Sequence, residues 1–224
     1  MSAYMSEYRL RQEIIRVTRI VAAQGLIRSS DGNISVRLAP DRFLVTPSGL
    51  YKMSMEPDDA LVVDDKGHVK EGKEGHRPTS ELNMHLEVYR QRPDVHAVLH
   101  AHPPYATALT IAGLPFPTDY MPEVLLALGR VPVAPYARPG TPALAESIRE
   151  SIREHNNILL SHHGSLSVGN TLEETLIALE RMEAAAHTFY LARGLGETVP
   201  LPAQELEALA EIGAPATAPN KGDY

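Results

Sequence analysis

Between Glu7 and Leu26 apolar residues return every three or four positions, at Leu10, Ile14, Val17 and Val21, and Gly25 follows them. That spacing predicts an amphipathic helix with a glycine stop. The pattern then shortens: "NISVRL", "RFLVT" and "ALVVD" read as strands, separated by the turn clusters "SSDGN", "APDR", "TPSG" and "DDKGH", which suggests antiparallel neighbours. "RPTSELNMHLEVYRQRP" returns to helical spacing, with Leu82, Leu86 and Tyr89 along one face between two prolines and an N-terminus near Thr79 and Ser80. "VHAVLHAH" predicts a buried strand and "PPYATALTIAG" a short helix, whereas "PEVLLALG" fits either element. In "TPALAESIRESIREH", Thr141 offers a cap, Pro142 a first-turn proline, and Leu144, Ile148 and Ile152 a stripe. "NILLSHHG" reads as a strand running into a turn. "TLEETLIALERMEAAAHTFYLARG" opens on a capping box of Thr171 and Glu174 and carries Leu172, Leu176, Leu179, Met182 and Phe189 at helical period. This succession predicts a mixed sheet covered by helices, of the α/β or α+β class.

With 224 residues, 43% of them hydrophobic, the chain suffices for one substantial core. We expect one domain over 1–205 and a flexible tail over 206–224, where "APATAPNKGDY" is rich in Pro, Ala and polar residues. No cysteine is present, so any metal must be held by His, Asp or Glu. The net charge of −7, with signs interspersed and no basic stripe, argues against nucleic acid as a partner. The lysines lie in polar segments and read as solvated surface. "MSAYMSEYRLRQEI" carries charges where a signal peptide needs an apolar core, and no apolar run is long enough to span a bilayer. These features predict a soluble, cytoplasmic protein with no membrane partner.

The chemistry concentrates in "VLHAHPPYATAL". In an extended chain His100 and His102 project to the same side and Ala101 to the other, so two imidazoles converge as metal ligands. His162 and His163 stand before Gly164, where glycine permits a tight turn. Either could complete a three-histidine site that leaves a position open for substrate. His96 shares the parity of His100 but precedes the buried run and reads as a rim residue. Glu81, in the first turn of its helix, is a dipole-stabilising anion or a proton-transfer group. "SSDGN", "TPSG" and "RPTS" offer small hydroxyls and backbone N–H groups suited to a phosphate, especially at the helix start by Thr79 and Ser80.

"GNISVR", "TPSG", "SELNMH", "HAHPPYATAL", "APYARPGT" and "HHGSLSVG" occur in that order from about Tyr8 to Arg193, and with them the chain resembles the class II aldolase/adducin family. The resemblance implies an α/β/α three-layer sandwich around a mainly antiparallel sheet, assembled as a homotetramer with active sites at subunit interfaces. It implies that His100, His102 and His163 are zinc ligands and that Glu81 is the catalytic acid/base, binding the metal when substrate is absent. Asn33, Ser48, Gly49, Thr79 and Ser80 would hold the substrate phosphate, with Ser30 and Gly32 adjoining. Tyr120 would reach into a neighbouring subunit's site. Manganese, cobalt or iron(II) could replace zinc in such a ligand set.

The activity so implied is that of a metal-dependent lyase. A ketose 1-phosphate resembling L-fuculose 1-phosphate would be cleaved reversibly to dihydroxyacetone phosphate and an aldehyde, the ion stabilising the enediolate charge. Glu rather than Asp at Glu81 favours the aldolase branch over the epimerase. Glu123, in "YMPEVLLALG", departs from the aldolase pattern. It could act as a second acid/base and redirect the site to dehydration, decarboxylation or epimerisation, or it could simply follow Pro122 at a helix start. A non-catalytic adducin-like scaffold is the remaining alternative, and it predicts missing ligands where this chain retains them.

Overall fold

In the computed structural model, which describes residues 6–212, α1 (Glu7–Ala23) leads into β1 (Asn33–Ala39), β2 (Arg42–Val45), β3 (Leu61–Val63) and β4 (Val69–Glu71). Next come α2 (Leu82–Gln91), β5 (Ala97–Ala101), α3 (Pro104–Ile111), α4 (Pro122–Leu128), β6 (Val133–Ala134) and α5 (Pro142–Glu154). The hairpin of β7 (Asn157–Leu160) and β8 (Gly164–Gly169) precedes α6 (Leu172–Leu195) and α7 (Ala203–Ile212). The ambiguous "PEVLLALG" is thus helical. Strands β4, β6 and β8 had no counterpart in the sequence pattern. Their segments are very short or built of Gly and Ser, which carry little strand preference.

The eight strands form one sheet in the order β4-β3-β2-β1-β5-β8-β7-β6, antiparallel throughout except for the β6–β7 pair. Alternation along the strands makes two apolar faces. Val45, Val63, Val98, Ile158 and Leu166 pack against Leu86 and Val88 of α2 and Ile148 and Ile152 of α5. Ile34, Val36, Leu44 and Leu99 pack against Ile14, Val17 and Val21 of α1 and Leu176 and Leu179 of α6. Helices α3 and α4 add a third cluster against the far half of α6, around Met182 and Phe189. The result is the expected α/β/α sandwich.

The helix ends follow the expected signals with two exchanges of partner. Thr171 Oγ1 accepts from Glu174 N at 3.1 Å, but the Glu174 carboxylate accepts from Asn170 N at 2.8 Å instead of closing the box on Thr171. Thr141 occupies the N-cap position of α5, yet its hydroxyl donates to the Arg138 carbonyl at 2.7 Å. Pro142 therefore starts α5 without a side-chain cap. Towards the other end of the chain, α7 forms a helix over Ala203–Ile212, which crosses from the expected domain into the segment 206–224 expected as tail. It lies against α4, and the Leu201 N–H before it donates to the Asp119 carbonyl at 2.9 Å. "APATAPNKGDY" lies outside the described residues. Among the described residues no helix is long and apolar enough to cross a membrane.

Candidate active site

Strand β5 is paired on both sides, to β1 with Asn33 opposite His100 and to β8 with Leu166 opposite His100. His100 shares the parity of Val98 and projects to the face covered by α2, and His102, just past the strand end, follows it. Their Nε2 atoms lie 3.0 Å apart. Between β7 and β8 the chain turns through His162 in the left-handed region, φ +56°, which separates the two adjacent side chains. His162 is exposed beside Tyr136, whereas the His163 ring centroid lies 4.7 Å from that of His100 and 5.0 Å from that of His102. The potential ligand atoms of His100, His102 and His163 all lie within 4.8 Å of one another. His96, at the opposite end of β5, belongs to another groove, beside Arg37 and Glu173.

Gly164 makes this convergence possible. A Cβ there would stand 2.3 Å from the Ala101 carbonyl oxygen and 2.8 Å from Cδ2 of His102, and neither neighbour can yield without moving β5 or the site. Gly164→Ala is expected to cost about 1–3 kcal/mol, the usual range for overpacking. Urea unfolding measures it, and an unchanged midpoint would show that β8 can retreat freely.

Glu81 is the N-cap residue of α2 rather than a first-turn residue, and its side chain caps nothing. Instead its Oε2 lies 3.1 Å from His100 Nε2 and its Oε1 3.3 Å from His163 Nε2. Burial alone would raise this carboxyl; the charge and hydrogen bond of His100, the Asn33 amide and His163 outweigh it and hold Glu81 well below the usual carboxylate range. Burial, then the neighbouring His100 and His163, pushes His102 down to about 3. Burial and His100 push His163 down to about 4. Both rings are neutral at pH 7 and hold lone pairs to give.

His100 Nδ1 donates to the Ser165 carbonyl at 2.8 Å, which aims its Nε2 at Glu81 Oε2 and His102 Nε2. Glu81 Oε1 is buried there with no hydrogen-bond partner, a lone-pair atom that a bound cation would satisfy. Three imidazoles and one carboxylate, in a chain without thiolates, fit zinc and equally manganese, cobalt or iron(II).

Beside this cluster three hydroxyl-bearing segments are drawn together by backbone bonds. Lys52 N–H donates to the Ser29 carbonyl at 3.0 Å, Ser48 N–H to that of Arg77 at 2.9 Å, and Thr79 N–H to that of Thr46 at 3.2 Å. Ser30, Ser48, Gly49 and Ser80 are exposed there, while Gly32 is buried. Gly32 crosses close to β5, where a Cβ would meet Ile27 Cγ2 at 2.4 Å and the His100 carbonyl at 3.0 Å. Thr79 is buried, and its hydroxyl accepts from Glu81 N at 3.3 Å. Lys52 corrects the expectation of a solvated lysine. It is 2% exposed, donates to the Pro47 carbonyl at 3.3 Å, and is pushed down to about 8 by burial despite Asp31 nearby. A short helical turn, Lys52–Ser54, begins at this residue, and its ammonium reaches back to the Pro47 carbonyl.

Asn33 is engaged on both sides of its amide: Nδ2 donates to Glu81 Oε2 at 2.9 Å and Oδ1 lies 2.5 Å from His85 Nε2. His85 Nδ1 lies 2.6 Å from Ser35 Oγ, itself 2.8 Å from the Tyr89 hydroxyl. Ser35, His85 and Tyr89 had not been singled out from the sequence as site residues. The signal was a four-residue step, Glu81, His85, Tyr89, on one face of α2. Tyr120 packs its ring on Phe189 at 4.8 Å, and Glu123 is exposed in the first turn of α4. Among the described residues, neither bonds to Glu81 or to His100, His102 or His163.

Residues 12–190 match the model of the Class II Aldolase and Adducin N-terminal domain. The chain belongs to this family. A 5-methylthioribulose-1-phosphate/5-deoxyribulose-1-phosphate aldolase of Escherichia coli is 35% identical over 197 residues, covering 88% of this chain and 91% of the relative. A 3-oxo-tetronate 4-phosphate decarboxylase, also of Escherichia coli, is 31% identical over 189 residues, covering 83% and 88%. The solved structure of an L-fuculose 1-phosphate aldolase superposes with a TM-score of 0.83 at 32% identity, covering 94% of this chain and 98% of that one. Membership gives a lyase-type enzyme of a metal-dependent family.

Proposed function

We propose that this family member is an aldolase that cleaves a ketose 1-phosphate reversibly to dihydroxyacetone phosphate and an aldehyde. The observation that carries the reading is a buried carboxylate, Glu81, facing three imidazoles beside loops whose hydroxyls are open to a phosphate. His100, His102 and His163 would hold the metal, with Glu81 as a fourth ligand before substrate enters. When bound, a divalent ion supplies Lewis-acid stabilisation of negative charge on substrate oxygens.

The chain's own residues do the rest. Ser30, Gly32, Ser48, Gly49, Thr79 and Ser80 would grip the phosphate and so fix the scissile bond relative to Glu81. Lys52 lends positive charge from beneath the Ser48 loop. Glu81 would carry the proton to and from the three-carbon fragment. In a homotetramer with interface sites, Tyr120 of an adjoining subunit would donate to the aldehyde oxygen. Asn33, expected beside the phosphate, also donates to Glu81 Oε2.

The relative active on 5-deoxy and 5-methylthio ketose phosphates supports a substrate whose aldehyde end lacks its terminal hydroxyl. The tetronate-phosphate relative supports a second reading, decarboxylation at the same metal site. Glu123 does little for it, since its exposed position at the start of α4 suits the helix dipole.

The test is a coupled NADH assay for dihydroxyacetone phosphate, run on metal-loaded protein with 5-deoxyribulose, 5-methylthioribulose and L-fuculose 1-phosphates. Chelator-sensitive release is expected. No release from any of the three, with carbon dioxide evolved from 3-oxo-tetronate 4-phosphate, would replace the aldolase by the decarboxylase.

A further inference from the structure

Glu81, His85 and Tyr89 recur every four residues along one face of α2, each step advancing about 6 Å. On the facing side of β1, Asn33 and Ser35 are two residues apart, a step of about 6.6 Å in a strand. The matched steps let five side chains interleave. Asn33 fits between Glu81 and His85, and Ser35 between His85 and Tyr89, joined by contacts of 2.9, 2.5, 2.6 and 2.8 Å in that order. All five residues are buried.

The direction of every bond follows from the end that can only accept. A carboxylate oxygen accepts from Asn33 Nδ2 at 2.9 Å, so Asn33 turns Oδ1 toward His85. Oδ1 accepts only, so His85 carries its proton on Nε2. Its Nδ1 is then an acceptor, Ser35 donates to it, and the Ser35 oxygen accepts from the Tyr89 hydroxyl. Beyond, the Tyr89 ring stacks on Phe43 at 4.6 Å and lies 4.7 Å from the Arg37 guanidinium, which also bonds the Tyr89 carbonyl at 2.8 Å. Burial, then the charge of His100, pushes His85 down to about 3, which keeps the ring neutral. At the other end, Glu81 Oε2 is occupied by Asn33, while Oε1 is buried with no hydrogen-bond partner.

We propose that His85 is a positioning residue: through Asn33 it pins Glu81 Oε2 and so leaves Oε1 as the oxygen that exchanges a proton with substrate. The assignment of Oε1 rests on the aldolase reading; the orientation of the chain does not.

In zinc-loaded His85→Leu, kcat is expected to fall at least about tenfold, roughly the worth of one lost charge-assisted hydrogen bond, with KM and bound zinc little changed. His85→Gln, whose amide can donate to Asn33 Oδ1, is expected to regain most of the loss. A purely structural role would lower the melting temperature of His85→Leu and leave kcat of the folded variant intact, which would overturn the proposal.

Heteronuclear NMR of the His85 ring in the zinc-loaded wild type tests the geometry without turnover or a foldable variant. A proton on Nε2 and a bare Nδ1 are expected, and a proton on Nδ1 would overturn the proposal. If the wild type cleaves no ketose 1-phosphate, the aldolase reading falls by itself, and the ring tautomer still decides whether His85 orients Asn33.

Discussion

Glu81→Gln is expected to lower kcat for ketose 1-phosphate cleavage by about 10²–10⁴-fold, the share that a positioned proton-transfer group contributes. Glutamine keeps the length of the side chain and can still accept from Asn33 Nδ2 through its one oxygen. Its amide nitrogen then occupies the position of Oε1, opposite His163, where it cannot take a proton. Binding through the phosphate loops survives, so KM should move far less than kcat. The coupled assay reads both constants. A variant that retains more than about a tenth of the wild-type kcat would remove Glu81 from the chemistry.

His102→Ala tests the other half of the centre and should separate two states of the protein. With metal present, the wild type gains RT ln(1 + [metal]/Kd), about 2.7 kcal/mol at a hundredfold excess over Kd, and the variant gains little. With chelator present, the two proteins should lie closer together in stability, because the metal-linked increment is gone from both. Thermal melts with and without zinc, beside elemental analysis of bound metal, make the comparison. Stoichiometric metal and full activity in His102→Ala would remove His102 from the ligand set.

Much of this arrangement was legible before any coordinates. His100 and His102 were a strand pair by parity, a rule that holds wherever the chain is extended and one face is buried. The choice between His162 and His163 was not legible from the residues alone. It depends on a left-handed residue in the β7–β8 turn, and turn geometry has no period. Glu81 was a helix-start carboxylate by position, but one residue of boundary separates a first-turn anion from an N-cap whose side chain is free to face the histidines. The family pattern puts Asn33 at the phosphate; its bond to Glu81 is not legible in the sequence, because it depends on strand and helix rising in step. Strand β8 escaped detection because "GSLSVG" has little strand character of its own. Pairing to β5 and β7 makes it a strand. Lys52 looked like surface because a polar segment usually is, and only the fold-back under Pro47 buries it.

The centre draws on β1, β5 and the strand that follows His163, each paired on both sides within the sheet, whereas the hydroxyls beside it hang on loops. Amide protons at Asn33 and His100 lie in interior strands and are expected to exchange slowly, only when the ladder that holds them opens. Those around Ser30 and Ser48 need only a local opening. Hydrogen exchange is thus expected to find two regimes a few residues apart: a slow frame that would keep proton-transfer geometry through each encounter, and a fast rim that would adjust to a phosphate without disturbing it.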